Sequence, residues 1–198
     1  MKTLIVIILD ESGSMYGKRA DVIGGFNSFL NEQKAIEGDE ARFYLVKFNS
    51  KIKVSHAAMD LNEVPELTND TYAPQSTTAL CDAIAKGIRL ADKDKKEDER
   101  VICVIITDGE ENSSQKTSYS QMKELIASHE RMPDWTFLYI GENPEEWTQA
   151  MGLDVTDGVQ YDHKNPENSM NYISMGVSSL RSSSSRKGKN LLNQSQII

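Results

Sequence analysis

Asp10, Ser12 and Ser14 sit on alternate residues of the stretch LDESGSMYG (residues 9–17), immediately after the apolar run TLIVIIL. A carboxylate and two hydroxyls gathered at the end of a buried strand make a set of oxygens suited to surrounding a ligand. Two other segments carry matching groups. Asp108 lies in TDGEEN, after the apolar run VICVIIT, and Thr77 and Thr78 lie in QSTTALCDAI, at the start of a predicted helix. Every candidate donor is a carboxylate or a hydroxyl, without thiolate or imidazole, which is the ligand preference of a hard cation such as Mg2+ or Mn2+. Only Asp10 and Asp108 bring negative charge. A divalent ion held this way stays electrophilic and gains most from a carboxylate supplied by another molecule, so the set favours docking an acidic ligand over a closed structural role.

Each residue alone has a plainer reading. Ser12, Ser14 or Thr78 could cap a following helix, and Asp108-Gly109 could be an ordinary turn. Taken together, with an aspartate ending the first strand, the three segments outweigh those readings. Gly13 is expected to allow tight curvature of the first loop and Gly109 the exit from the second. The histidines at 56, 129 and 163 fall outside every motif.

The elements that must position these groups follow from hydrophobic periodicity. Runs at 4–9, 101–106 and 135–140 are apolar without alternation, as in strands covered on both faces. Residues 41–48 are more mixed. Residues 51–59 alternate and follow after only Asn49 and Ser50, which predicts a hairpin and an antiparallel edge strand. A sixth short strand is expected at 155–161.

Helical stripes lie between them. They run through Val22, Phe26, Phe29, Leu30 and Gln33; through Leu80, Ile84, Gly87, Ile88 and Ala91; and through Met122, Leu125 and Ile126. The first of these predicts a helix of about twenty residues after Met15. NPEEWTQAMG reads as a short helix with Asn143 as cap, Pro144 first, Glu146 at the capping-box position and Gly152 as terminator. Met170, Ile173, Val177 and Leu180 form a last stripe, and the charged run 92–100 reads as the solvated end of the second helix with its loop. This alternation predicts an α/β domain over residues 1–180. Its sheet should be doubly wound (Rossmann-like), mostly parallel and six-stranded, with one antiparallel edge strand and helices on both faces. Ligands in such sheets bind beyond the carboxyl ends of the strands, where strand order reverses.

Composition narrows the function. With 38% hydrophobic and 26% charged residues the chain reads as a globular protein, not a disordered one. No apolar run approaches the roughly 20 residues of a membrane helix. MKTLIVIIL imitates a leader, but DESGS stands where a cleavage site should be, so the run is read as a strand and the protein as cytoplasmic. Cys81 and Cys103 lack metal-type spacing and read as reduced, buried thiols. The net charge is −8, and after Glu167 there are no acids, so the body is more acidic than the whole chain. That argues against nucleic acid as a partner. Residues 181–198, with RSSSSRKGKN, read as a disordered basic, serine-rich tail.

DESGS, then TTAL at 77–80, then TDG at 107–109 resemble the von Willebrand factor A family and its metal-ion-dependent adhesion site. That family's pattern is Asp-x-Ser-x-Ser, a later threonine and an aspartate. The resemblance implies that Ser12 and Ser14 bind Mg2+ or Mn2+ directly. It implies that Asp10 and Asp108 act largely through water or from behind, and that the threonine is Thr78, aligned through TAL, with Thr77 as the alternative. Where the family often has Gly-Gly before its threonine, this chain has Gln75, Ser76 and Thr77. Small stand-alone bacterial and bacteriophage members look similar. The expected function is non-enzymatic: metal-dependent capture of a protein partner through its Asp or Glu, with Met15, Tyr16, Thr77, Glu110, Glu111 and Asn112 on the contact rim.

The rival reading is an RNase H-like nuclease, in which Asp10 and Glu11 would hold two Mg2+ ions for phosphodiester cleavage. That fold passes from its first strand directly into further strands, whereas here a helix comes first. The rival also leaves Ser14 and Thr78 without a role.

Overall fold

The first strand, β1 (Lys2–Asp10), explains why the apolar runs do not alternate. Leu4, Val6 and Ile8 pack on one face of the sheet, Ile5, Ile7 and Leu9 on the other, and all six are fully buried. Each such side chain contributes about 1.5–3 kcal/mol relative to exposure, so β1 must lie in the middle of the fold. The computed structural model describes residues 2–108, 110–153, 158–160 and 166–183. Its other strands are β2 (Ala41–Phe48), β3 (Ile52–Asp60), β4 (Glu99–Ile106), β5 (Trp135–Gly141) and β6 (Gly158–Gln160). They form one six-stranded sheet in the order β3-β2-β1-β4-β5-β6. All neighbours are parallel except β2 and β3. The predicted hairpin, edge strand and short sixth strand are therefore present.

Helices cover both faces. α1 (Arg19–Lys34) and α5 (Pro166–Ser182) pack on the Ile5 face through Val22, Phe26, Phe29, Ile173 and Val177. Their axes come close at Gly25, where a Cβ would lie 2.6 Å from Met170 Cγ. α2 (Leu80–Asp94), α3 (Tyr119–Glu130) and α4 (Pro144–Met151) cover the Leu4 face through Ile84, Ile88, Met122, Ile126 and Met151. Strand order reverses between β1 and β4, the point at which such sheets open a crevice.

Local boundaries differ from expectation in instructive ways. The helix expected straight after Met15 begins as a 3-10 segment, Gly13–Lys18, before α1. Gly152 ends α4 in the left-handed region (φ +75) as expected, but Asn143 makes no side-chain cap bond there. The capping box instead opens α3, between Ser118 and Gln121. Glu99 and Arg100, expected in a solvated loop, begin β4 and are each 2% exposed. Arg181, read as the start of a disordered tail, is a buried residue of α5 that donates to Asp39 at 2.7 Å. The rest of that tail, residues 184–198, lies outside the described residues, as do His163 and Gly109. Both cysteines are buried free thiols, as expected.

Candidate metal centre

The carboxyl ends of β1 and β4 carry the predicted oxygens. Asp10 closes β1 and is fully buried; its Oδ1 accepts the Ser12 N–H at 2.7 Å and its Oδ2 accepts the Thr107 hydroxyl at 2.5 Å. From the following loop, Ser12 Oγ and Ser14 Oγ lie 3.1 Å apart, and Ser14 Oγ donates to Asp108 Oδ1 at 2.6 Å. The last bond joins residues 94 positions apart in the chain. In an octahedral shell with ligands at 2.0–2.1 Å, neighbouring oxygens lie about 2.9 Å apart. The Ser12–Ser14 and Ser14–Asp108 spacings, 3.1 and 2.6 Å, bracket that value, so the residues present fit a small divalent ion.

Electrostatics agrees. Burial pushes the Asp10 carboxyl above its ordinary range; its bonds with Thr107 and Ser12 pull it down, and Asp108 pushes it up again, leaving it raised. A charged Asp10 is therefore under-compensated, and a cation would relieve it.

Thr78 reaches the same end through the backbone. Gly13 N–H donates to Ser76 O and Gln75 N–H to Glu11 O, both at 2.9 Å, tying the 75–78 segment to the loop after β1. Thr78 N–H donates to Asn112 Oδ1 at 2.8 Å, and Thr78 O accepts from the N–H groups of Asn112 and Ser113. The buried threonine is thus held between the loops that follow β1 and β4. Gly13 has an ordinary φ; what favours glycine is closeness, because a Cβ would stand 3.2 Å from Ser76 O. Ser76, where the family often has glycine, takes a left-handed φ of +70.

The rim divides. Tyr16, Thr77 and Glu110 are exposed beside the centre. Met15 is fully buried in the core and is no rim residue, because the 3-10 turn points it under α1. Glu111 is scaffolding: its carboxylate accepts from Cys81 N–H at the start of α2, from the N–H groups of Ser113 and Ser114, and from Ser114 Oγ. Burial raises this carboxyl, but the N–H donors and the Ser114 hydroxyl outweigh it and hold it below its ordinary range. A carboxylate at a helix N-terminus is stabilised by the unpaired amides there. Asn112 is exposed, yet its side chain fixes Thr78.

The structure adds two groups that no motif marks, Lys18 being expected from the sequence only as part of the flanking surface 15–19. Thr107 is the hydroxyl beneath Asp10, and Lys18 bonds Asp108 Oδ2 and Glu142 Oε1, the latter at 3.2 Å. Nothing local in the sequence marks Lys18, which lies 90 residues from Asp108. Glu11 turns away from the nuclease role. Its Oε1 accepts from Lys47 Nζ and from Ala73 N–H, both at 2.8 Å, so the rival reading loses the second acid it requires beside Asp10. Among the described residues no group of three or more His, Cys, Asp or Glu side chains is placed to hold a metal ion.

The model of the von Willebrand factor type A domain matches residues 5–147, and the chain belongs to that family. Domains of the family mediate protein–protein interaction. No functionally curated protein matches. Among solved structures, the chain is similar to the PilB minor pilin of Streptococcus sanguinis (12% identity, TM-score 0.66, covering 91% of this chain and 62% of the pilin). It is also similar to the vWF domain of the type V pili tip protein Mfa5 from Porphyromonas gingivalis (12%, 0.66, 95% and 97%). A third is proximal thread matrix protein 1 of the mussel byssus, solved with a zinc-occupied adhesion-site motif (14%, 0.61, 90% and 45%). At these identities the likeness is one of fold. This chain spans 62% of the pilin and under half of the byssus protein. Among the described residues no helix is long and apolar enough to cross a membrane.

Proposed function

We propose that this domain binds a partner protein through a divalent cation held by Ser12, Ser14 and Thr78, with Asp10 and Asp108 supplying charge at or behind the ion. The observation that carries the reading is the Ser14–Asp108 hydrogen bond at 2.6 Å, which closes the oxygen set between β1 and β4. When bound, Mg2+ or Mn2+ would supply a Lewis-acidic point for an incoming carboxylate. The chain's residues do the rest. Asp10 fixes the loop through Ser12 N–H, Asn112 fixes Thr78, and Tyr16, Thr77 and Glu110 would meet the partner's surface. Zinc in the byssus protein's motif supports a site open to divalent ions generally. The reading is non-enzymatic, with an Asp or Glu of the partner as the captured group and a cytoplasmic setting.

The test is affinity capture with the wild type in Mg2+, the wild type in chelator, and Ser14→Ala in Mg2+. The account expects a partner retained only in the first condition and released when its exposed Asp or Glu residues are changed to Asn or Gln. Equal retention in all three conditions rejects it.

A further inference from the structure

Beside the candidate metal centre, a cavity of about 510 Å³ opens between the start of α2, α3 and α4. Its volume is within the roughly 300–1,000 Å³ of ligand sites. Asp108 lines it, so cavity and metal centre share a wall. Three aromatic side chains contribute: Tyr119, Tyr139 and Trp147, the last two stacked with ring centroids 4.1 Å apart and planes at 6°. The acids Glu110, Glu111, Glu142 and Glu146 line it too; Lys18 already bonds Asp108 and Glu142, and amides hold Glu111, so the exposed Glu110 and Glu146 are the carboxylates a ligand's cation would meet. The acidity reaches the phenols. Burial raises Tyr139, with Glu142 adding to it, and burial raises Tyr119, with Cys81 and Glu146 adding to it.

We infer that this cavity receives an arginine side chain of the partner, next to the point where the metal would take the partner's acid. Aromatic walls with carboxylates at the rim suit a guanidinium better than an ammonium ion. A guanidinium is planar, weakly hydrated, stacks on indole and phenol faces, and offers several N–H donors to carboxylates. An apolar side chain would gain the aromatic contact but give the exposed Glu110 and Glu146 carboxylates nothing to bond. The proposal deepens the capture reading by giving the ligand two charges of opposite sign, held side by side. It explains why a docking surface for an acid is itself lined with acids: the cavity would select ligands that carry a cation beside their carboxylate.

The cavity is testable without metal or partner. The probe is Nα-acetyl-arginine amide, which has no carboxylate, titrated in the presence of chelator into 15N-labelled protein. The two tryptophan indole N–H signals are the readout. Trp147 is expected to shift with saturation while Trp135, buried in the core, stays still. Nα-acetyl-norleucine amide should bind at least about fivefold more weakly, and the Glu110→Gln/Glu146→Gln double variant should weaken the arginine probe by about fivefold with no change in melting temperature. Equal binding of the two probes, an unaltered affinity in the double variant, or no movement of Trp147 would each overturn the inference. Those results would leave metal-dependent capture standing, because the metal takes no part in the measurement.

Discussion

At the amino edge of the sheet, Arg42 donates to both Glu99 carboxylate oxygens at 2.7 Å, and Arg181 donates to Asp39 at 2.7 Å and to Gln33 O at 2.6 Å. At the carboxyl edge, Asp10 is buried with two neutral donors and is pushed upward by Asp108. Both edges hold ion pairs, since Lys18 bonds Asp108 and Lys47 bonds Glu11 at the carboxyl edge, but Asp10 is treated differently from Glu99. Burial raises Glu99, but Arg42 and the Lys96 N–H outweigh it, so that carboxyl sits below its ordinary range while Asp10 sits above. The amino edge invests in matched pairs and fixes α5 and β4 to the core. At the carboxyl edge the buried Asp10 keeps a demand for positive charge, which is what a site for a cation requires.

Breaking the paired edge should have the largest effect. Arg181→Met leaves Asp39 and Gln33 without their partner and is expected to lower stability in urea by about 3–5 kcal/mol, with divalent affinity unchanged. At the other edge, wild type should gain about 2.7 kcal/mol from Mn2+ at a hundredfold excess over its dissociation constant. Ser14→Ala should lose that gain entirely while its metal-free stability moves by less than about 1 kcal/mol.

The effect of pH sharpens the contrast. Because the Glu99 carboxyl is depressed in the folded state, its contribution is present above its ordinary value of 4.5 and disappears as pH falls through the lower, folded value. Glu99→Gln should therefore cost about 2 kcal/mol at neutral pH, and denaturation curves of variant and wild type should converge in acid. Lys18 is a cation already bonded to Asp108, so it competes with any metal for that carboxylate. Lys18→Gln is expected to tighten Mn2+ binding by about fivefold in calorimetry, equivalent to about 1 kcal/mol. The smallest effect falls on Ser76: glycine relieves its left-handed backbone, so Ser76→Gly should raise stability by about 0.5–1 kcal/mol and leave Mn2+ affinity as it was.

Much of this was legible in the sequence, for definite reasons. Unbroken apolar runs at 4–9 and 101–106 state that both faces of a strand are covered, and two residues between 48 and 51 leave space only for a hairpin. The oxygen set was readable because its spacing is local: Asp10, Ser12 and Ser14 occupy one loop. What escaped depended on distance along the chain or on competition within a short segment. Lys18 becomes part of the centre only through a fold that brings it to Asp108. Glu111 looked like an exposed rim acid, yet the Cys81 N–H at the start of α2 and the amides of Ser113 and Ser114 claim it. Met15 looked like a contact residue, but the 3-10 turn buries it. Glu99 and Arg100 sit in a run of charges that normally marks solvent, and their ion-pair and backbone partners let the strand begin two residues early.

The central claim is that hydroxyl oxygens from the loop after β1, joined to Asp108, bind one divalent ion. Calorimetric titration of Mn2+ into the wild type and into Ser12→Ala/Ser14→Ala tests it most directly. One ion per wild-type chain, and no measurable uptake by a variant that melts cooperatively near the metal-free wild-type temperature, is the predicted result. Equal stoichiometry and affinity in the two proteins would contradict it.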